Sequence, residues 1–157
     1  MDSKKKFFDK KEIMAAMPQQ PPFLFLDEVS AEIEKGTVSG KYKIRKEEFF
    51  FEGHFKGNPV FPGTLMLETA GQLCVFGLIK KLFDGMEAPA DSKTIFFMSS
   101  DGGRCSRICR PNETFVITAK PVKIRRPLAI FECAISVGEQ RAAFVEKLAL
   151  SFDWLKI

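Results

Sequence analysis

The stretch 64–83, TLMLETAGQLCVFGLIKKLF, constrains the fold most. It is the longest helical candidate, and Leu65, Met66, Leu67, Leu73, Val75, Phe76, Leu78 and Ile79 leave its middle apolar on nearly every side. A helix apolar all round is buried. Gly85 just past its end, with Lys80 and Lys81 in its last turn, suits a helix C-terminus. The remainder of a 157-residue chain must supply the cover.

That remainder reads as strands. TIFFMS at 94–99 is short and aromatic; apolar residues alternate along 114–120, 128–137 and 141–152, the last through Phe144, Leu148, Leu150 and Phe152. Gly138–Glu139 punctuates the last two as a hairpin. Upstream, FLFLDEV at 23–29 reads as a strand, and 31–44 as a ribbon with turns at its glycines. Phe8, Asp9, Glu12 and Ile13 occupy N′, N-cap, N3 and N4 of a short helix at 10–17, a hydrophobic staple over an Asp capping box. Pro18 ends that helix. Residues 19–22, QQPP, form an extended connector, and 46–63 a structured loop rich in Phe, Gly and Pro. One buried helix with antiparallel strands wrapped on it is an α+β layout. The expected organisation is one domain over 1–157 with a flexible N-terminal end at 1–8.

Several chemistries are excluded. Hydrophobic residues at 45% and charged residues at 28% rule out a disordered chain. His54 is the only histidine, so a multi-histidine metal site cannot be built within one chain. Cys74, Cys105, Cys109 and Cys133 form no C-x-x-C pair. Neither glycine-rich phosphate motif occurs. The expectation is therefore no metal and no cofactor. The N-terminus lacks the apolar core of a secretory signal, and the longest apolar run, 73–79, is too short to span a bilayer. A cytoplasmic protein with reduced thiols is expected. The net charge of +4 does not call for nucleic acid and favours an acidic partner.

The informative stretch is 53–72, GHFKGNPVFPGTLMLETAGQ. Glu68 lies inside the apolar helix. It reads either as a carboxylate pairing with the helix dipole or as a poorly solvated carboxyl of raised pKa, able to act as a general acid. Gln72 shares its face four residues on; it either orients the carboxyl or simply satisfies it. His54 reads as a satisfied structural histidine or as a general base held by a loop that Gly53, Gly57, Pro59 and Pro62 pin in shape. Gly63 opens the helix, where bare N–H groups can hold a developing oxyanion and the absent side chain admits a substrate.

This stretch resembles the 3-hydroxyacyl-[acyl-carrier-protein] dehydratases of type II fatty-acid synthesis, the FabZ and FabA type. Their hallmark, approximately GHFPGxPxMPGxLxxE with a glutamine four residues later, stands here as GHFKGNPVFPGTLMLE with Gln72. The likeness extends to PPFLFLDEV at 21–29 and more weakly to RICRP at 107–111, spanning about 12–152. It implies the hotdog fold, a long central helix wrapped by an antiparallel sheet. It also implies His54 as catalytic base and Glu68 as catalytic acid. Gly63 would polarise the thioester carbonyl, the Val60 carbonyl would orient His54, and Gln72 would support the acid. It further implies acyl carrier protein as partner and a homodimer with shared active sites, extendable to a trimer of dimers. Lys56 departs from the family's proline, Phe61 from its methionine, and Gln19–Gln20 from a common His-Arg pair.

Arg104, Arg107, Arg110, Lys123, Arg125 and Arg126 are either ordinary solvated strand ends or, as a group, a docking surface for the acidic carrier. Two other functions fit the same fold: an acyl thioesterase, and a non-catalytic acyl-binding protein. The latter would be expected to lose His54 or Glu68, and this chain keeps both.

Overall fold

A computed structural model describes residues 5–156. In chain order the elements are β1 (Lys5–Phe8), α1 (Lys10–Ala16), β2 (Glu28–Glu32), β3 (Thr37–Lys43), α2 (Gly63–Ile79), β4 (Phe96–Asp101), β5 (Arg104–Cys105), β6 (Thr114–Arg125), β7 (Leu128–Val137) and β8 (Gln140–Ser151). The strands form one antiparallel sheet in the order β1-β2-β3-β6-β7-β8-β4, with β5 paired to β8. This is the expected α+β hotdog layout. Helix α2 buries Met66, Thr69, Ala70 and every residue from Gln72 to Leu78. The inward residues of β6 and β7 close over it: Phe115, Ile117, Ala119, Phe131, Cys133 and Ile135 are all buried. Gly40 on β3 makes the approach possible, since a Cβ there would stand 3.2 Å from both Leu26 and Leu73.

The capping box at Asp9 forms as expected, with Glu12 N–H donating to Asp9 Oδ1 at 2.9 Å and Asp9 N–H donating to Glu12 Oε1 at 3.2 Å. The hairpin at Gly138 forms too, pairing Val137 with Gln140.

Five expectations are corrected. The N-terminal end is not loose over 5–8, because Lys5–Phe8 pairs with β2 and Phe8 meets Phe76 of α2 edge-on at 5.0 Å; residues 1–4 lie outside the described residues. The strand expected at 23–29 begins only at Glu28, since side chains satisfy much of the preceding backbone. Helix α2 stops at Ile79, not Phe83. Lys81 turns left-handed with φ 56°, the Leu82 N–H donates to the Gly77 carbonyl at 2.9 Å, and the Phe83 ring folds back onto Gly77. Of the two glycines in the ribbon only Gly36, with φ 66°, makes a turn; Gly40 lies within β3. Phe144 is half-buried, because register shifts on β7 and β8 change the phase of the alternation and bury Ala143 and Val145 instead.

Candidate active site

The loop that carries His54 is anchored by aromatic packing. Phe61 lies edge-on to Phe25, Phe50 and Phe115 at centroid distances of 5.8, 5.2 and 5.0 Å. Such pairs contribute about 0.5–1.5 kcal/mol each beyond burial. At the base of the loop the Tyr42 hydroxyl donates to Glu48. At the tip, Phe55 and Asn58 exchange backbone hydrogen bonds of 2.8 Å around Gly57, whose φ of 67° suits glycine.

His54 is half-buried and stacked on Phe55. Its Nδ1 lies 2.8 Å from the Val60 carbonyl oxygen. A carbonyl only accepts, so the neutral ring carries its proton on Nδ1 and presents an unprotonated Nε2. Such an arrangement leaves Nε2 able to take up a proton.

Gly63 is the first residue of α2, behind an N-cap, Pro62, that makes no side-chain cap. Among the described residues no acceptor pairs with the Gly63 N–H. A Cβ on Gly63 would stand 3.1 Å from the Cys105 thiol. Gly63, Met66, Leu67 and Ala70 face Cys105, Cys133, Ile135 and Val145 across a largely apolar cavity of about 360 Å³, with Arg104 in its wall.

Glu68 is half-buried one turn further in. Burial pushes its carboxyl above the usual carboxylate range, and a hydrogen bond from Gln72 opposes the shift without cancelling it. Gln72 is fully buried. Its Nε2 donates to Glu68 Oε2 at 2.8 Å and to the Phe23 carbonyl at 3.1 Å, while its Oε1 accepts from the Phe25 N–H at 2.8 Å. Gln72 therefore both holds the carboxyl and satisfies a neighbouring segment. Glu68 lines a second cavity of about 230 Å³ with Gln19, Leu67, Val75, Ile95 and Phe97. The Gln19 Oε1 is buried without a partner among the described residues. His54 lines neither cavity.

The six cations do not form one patch. Arg104 pairs with Phe144, which pairs with Ala134, whereas Arg125 pairs with Leu128. Six residues of strand, about 20 Å, separate those positions. Arg107 is committed to Glu113 through Nη1 at 3.0 Å and Nη2 at 2.5 Å, and to Gln140 at 2.7 Å. Arg110 donates to Asn58, and Arg126 lies 3.6 Å from Asp153. Lys123 and Arg125 are exposed at the end of β6. Charge order along a chain does not reveal strand register, which is why the sequence suggested a cluster.

Two features of the site were missed by the sequence reading. Cys105 sits behind Gly63, and Arg110 reaches the histidine loop; 42 and 52 residues of chain separate the partners. For Arg110 the signal was the weak RICRP likeness at 107–111, which does not reach Cys105.

A family profile described as the FabA-like domain matches residues 17–146. The chain is 32% identical over 142 residues to the 3-hydroxyacyl-[acyl-carrier-protein] dehydratase FabZ of Anaplasma marginale (strain Florida), covering 90% of this chain and 95% of that one. It is 35% identical over 137 residues to the protein of the same name from Paracidovorax citrulli, covering 86% and 90%. Among solved structures, the dehydratase heterocomplex ApeI:P from Xenorhabdus doucetiae superposes with a TM-score of 0.68 at 14% identity over 90% of each chain. A mutant thioesterase from Pseudomonas aeruginosa does so with a TM-score of 0.53 at 10% identity over 76% of each. At such identities the solved structures speak for the hotdog fold alone.

Proposed function

The chain belongs to the FabA-like family, and on that premise we propose that it dehydrates 3-hydroxyacyl thioesters of acyl carrier protein to trans-2-enoyl thioesters in fatty-acid biosynthesis, with His54 as base and Glu68 as acid. The observation that carries the residue roles is their opposite preparation. His54 is held with a free Nε2, and Glu68 is held in surroundings that favour its protonated form.

The thioester carbonyl accepts from the Gly63 N–H. His54 Nε2 takes a proton from C2, and the enolate charge that develops is met by the start of α2. The C3–O bond breaks as Glu68 gives its proton to the departing hydroxyl, which leaves as water. The products are the enoyl thioester, an imidazolium and a carboxylate, and proton exchange with solvent resets the pair. The sequence is redox-neutral and balances with these two groups. Each general acid–base contribution is worth about 10²–10⁴-fold.

The active unit in this reading is a homodimer joined at β4. That strand ends the sheet and exposes Phe96, Phe97 and Met98 to 63%, 58% and 56%. An open apolar edge of this kind invites a second copy. Phe97 also lines the Glu68 cavity, so a partner at β4 would reach the acid and could bring its own His54 there. Three such dimers could assemble further. Arg104, which lines the same cavity of about 360 Å³ as Gly63, supports carrier approach at that end of the sheet. No helix among the described residues is long and apolar enough to cross a membrane. A cytoplasmic location accords with the carrier-bound substrate and the four free thiols.

The test is incubation of the purified chain with a 3-hydroxyacyl and a 2-enoyl carrier thioester. Reversible interconversion is expected. Release of free thiol would instead identify a thioesterase, and binding without turnover a non-catalytic acyl-binding protein.

A further inference from the structure

Two consecutive peptide groups contact His54, one at its ring and one at its backbone carbonyl, and residues 109 and 110 hold one each. The Val60–Phe61 peptide presents its carbonyl to His54 Nδ1 at 2.8 Å and its N–H to the Cys109 carbonyl at 2.8 Å. The Pro59–Val60 peptide donates its N–H to the His54 carbonyl at 3.0 Å, and its own carbonyl accepts from Arg110 Nη1 at 3.3 Å. The same nitrogen donates to Asn58 Oδ1 at 2.7 Å. A peptide group is planar, so holding one end of it directs the other.

Arg110 is itself seated. Its backbone N–H donates to Glu113 Oε1 at 2.8 Å, and Arg107 grips the same carboxylate with two nitrogens. On the other side, Lys56 stands in the loop where a proline would have restricted the backbone. Arg110 adds a hold from outside the loop to the aromatic packing of Phe61.

We propose that Arg110 is a positioning residue for His54. It acts through Asn58 and the Pro59–Val60 peptide to keep the Val60 carbonyl on Nδ1 and Nε2 free, and it does not touch substrate. This rests on the proposed role of His54 as base, and it replaces the carrier-docking role considered for Arg110.

The chain has one histidine, so imidazole ¹⁵N spectra report on His54 alone. In the unmodified chain the Nδ1–H tautomer should dominate. Arg110→Ala should give a mixed tautomer population and lower kcat by about ten- to a hundredfold, with KM for a short 3-hydroxyacyl pantetheine thioester unchanged within about twofold. Asn58→Ala, which leaves residues 107–113 intact, should do the same. Combining the two should cost little more than either alone, as coupled partners do. Arg110→Lys should recover part of both signals. An unchanged tautomer population in Arg110→Ala and Asn58→Ala would overturn the proposal. So would a rise in KM confined to carrier-bound substrate, which would mark a docking residue. If the unmodified chain fails to dehydrate, the dehydration reading falls, and the spectra still decide what Arg110 does to His54.

Discussion

Gln72 stands one helical turn beyond Glu68, its Nε2 2.8 Å from the carboxylate, and the rest of its amide is committed to the backbone of Phe23 and Phe25. Removing that amide strands the buried Phe25 N–H and leaves the partly buried Phe23 carbonyl without its donor, as well as freeing the acid. Unsatisfied buried groups cost about 1–3 kcal/mol each. Gln72→Ala is expected to lose about 2–4 kcal/mol of stability in urea unfolding and to lower kcat in the same preparation. A variant that kept full stability would show that water or rearrangement replaces the amide.

The raised pKa of Glu68 has a signed effect on folding. The folded chain keeps this proton to higher pH than the unfolded chain does. The associated stability is fully present below the unfolded carboxylate value, about pH 4, and is lost as pH rises through the folded value. Glu68→Gln does not titrate there, so its stability relative to the unmodified chain should climb with pH over that window and then level off. Denaturant midpoints of both proteins across pH check this; a flat difference would mean that Glu68 titrates as an ordinary carboxyl. Turnover needs the same proton, so kcat should fall on the alkaline side of that transition.

Gly63→Ala separates folding from chemistry. The added methyl would meet the Cys105 thiol at 3.1 Å, a contact that relaxes with a shift of a few tenths of an ångström. Thermal unfolding should move only slightly, whereas turnover should fall by about a hundredfold or more as the methyl crowds the N–H. Near-normal kcat in Gly63→Ala would remove Gly63 from the oxyanion role.

The β4 edge makes its own prediction. Phe97→Glu places a charge on an apolar edge strand. Sedimentation should show a smaller species, with dehydration lost and the far-ultraviolet circular dichroism kept. Mixed His54→Ala and Glu68→Gln subunits should regain part of the activity once exchange is shown, because some sites would then hold an intact pair.

Arg104 and Arg125 lie far enough apart along the sheet to be tested against each other. Arg104→Glu should raise KM for carrier-bound substrate, most clearly at low salt, and spare a pantetheine thioester. Arg125→Glu should leave both nearly unchanged. The reverse pattern would move the docking surface to the far end of β6.

Much of this was legible in the chain itself. A helix apolar on nearly every side belongs in the core, and the second half of α2 is buried from Gln72 to Leu78. The capping box at Asp9 and Glu12 and the hairpin at Gly138 are local codes, complete within a few residues, and both form as read. The spacing of His54, Gly63, Glu68 and Gln72 pointed to the loop and the helix that hold them. What escaped reading depends on partners distant in sequence. Residues 23–25 resemble a strand, yet Gln72, nearly fifty positions away, takes their hydrogen bonds. Helix α2 ends early because Phe83 returns to pack on Gly77, a contact with no signature in either residue alone.

Gln72 recognises residues 23 and 25 only by main-chain atoms, which every amino acid but proline supplies in full. Their side chains can therefore drift, within what packing tolerates, without disturbing the support of the acid. Position 72 has no such latitude, since it must both donate and accept. Mutational tolerance across this small network should thus be lopsided: permissive at Phe23, which is exposed, and strict at Gln72 and at Phe25, whose ring is buried against Tyr42, Phe50 and Phe61.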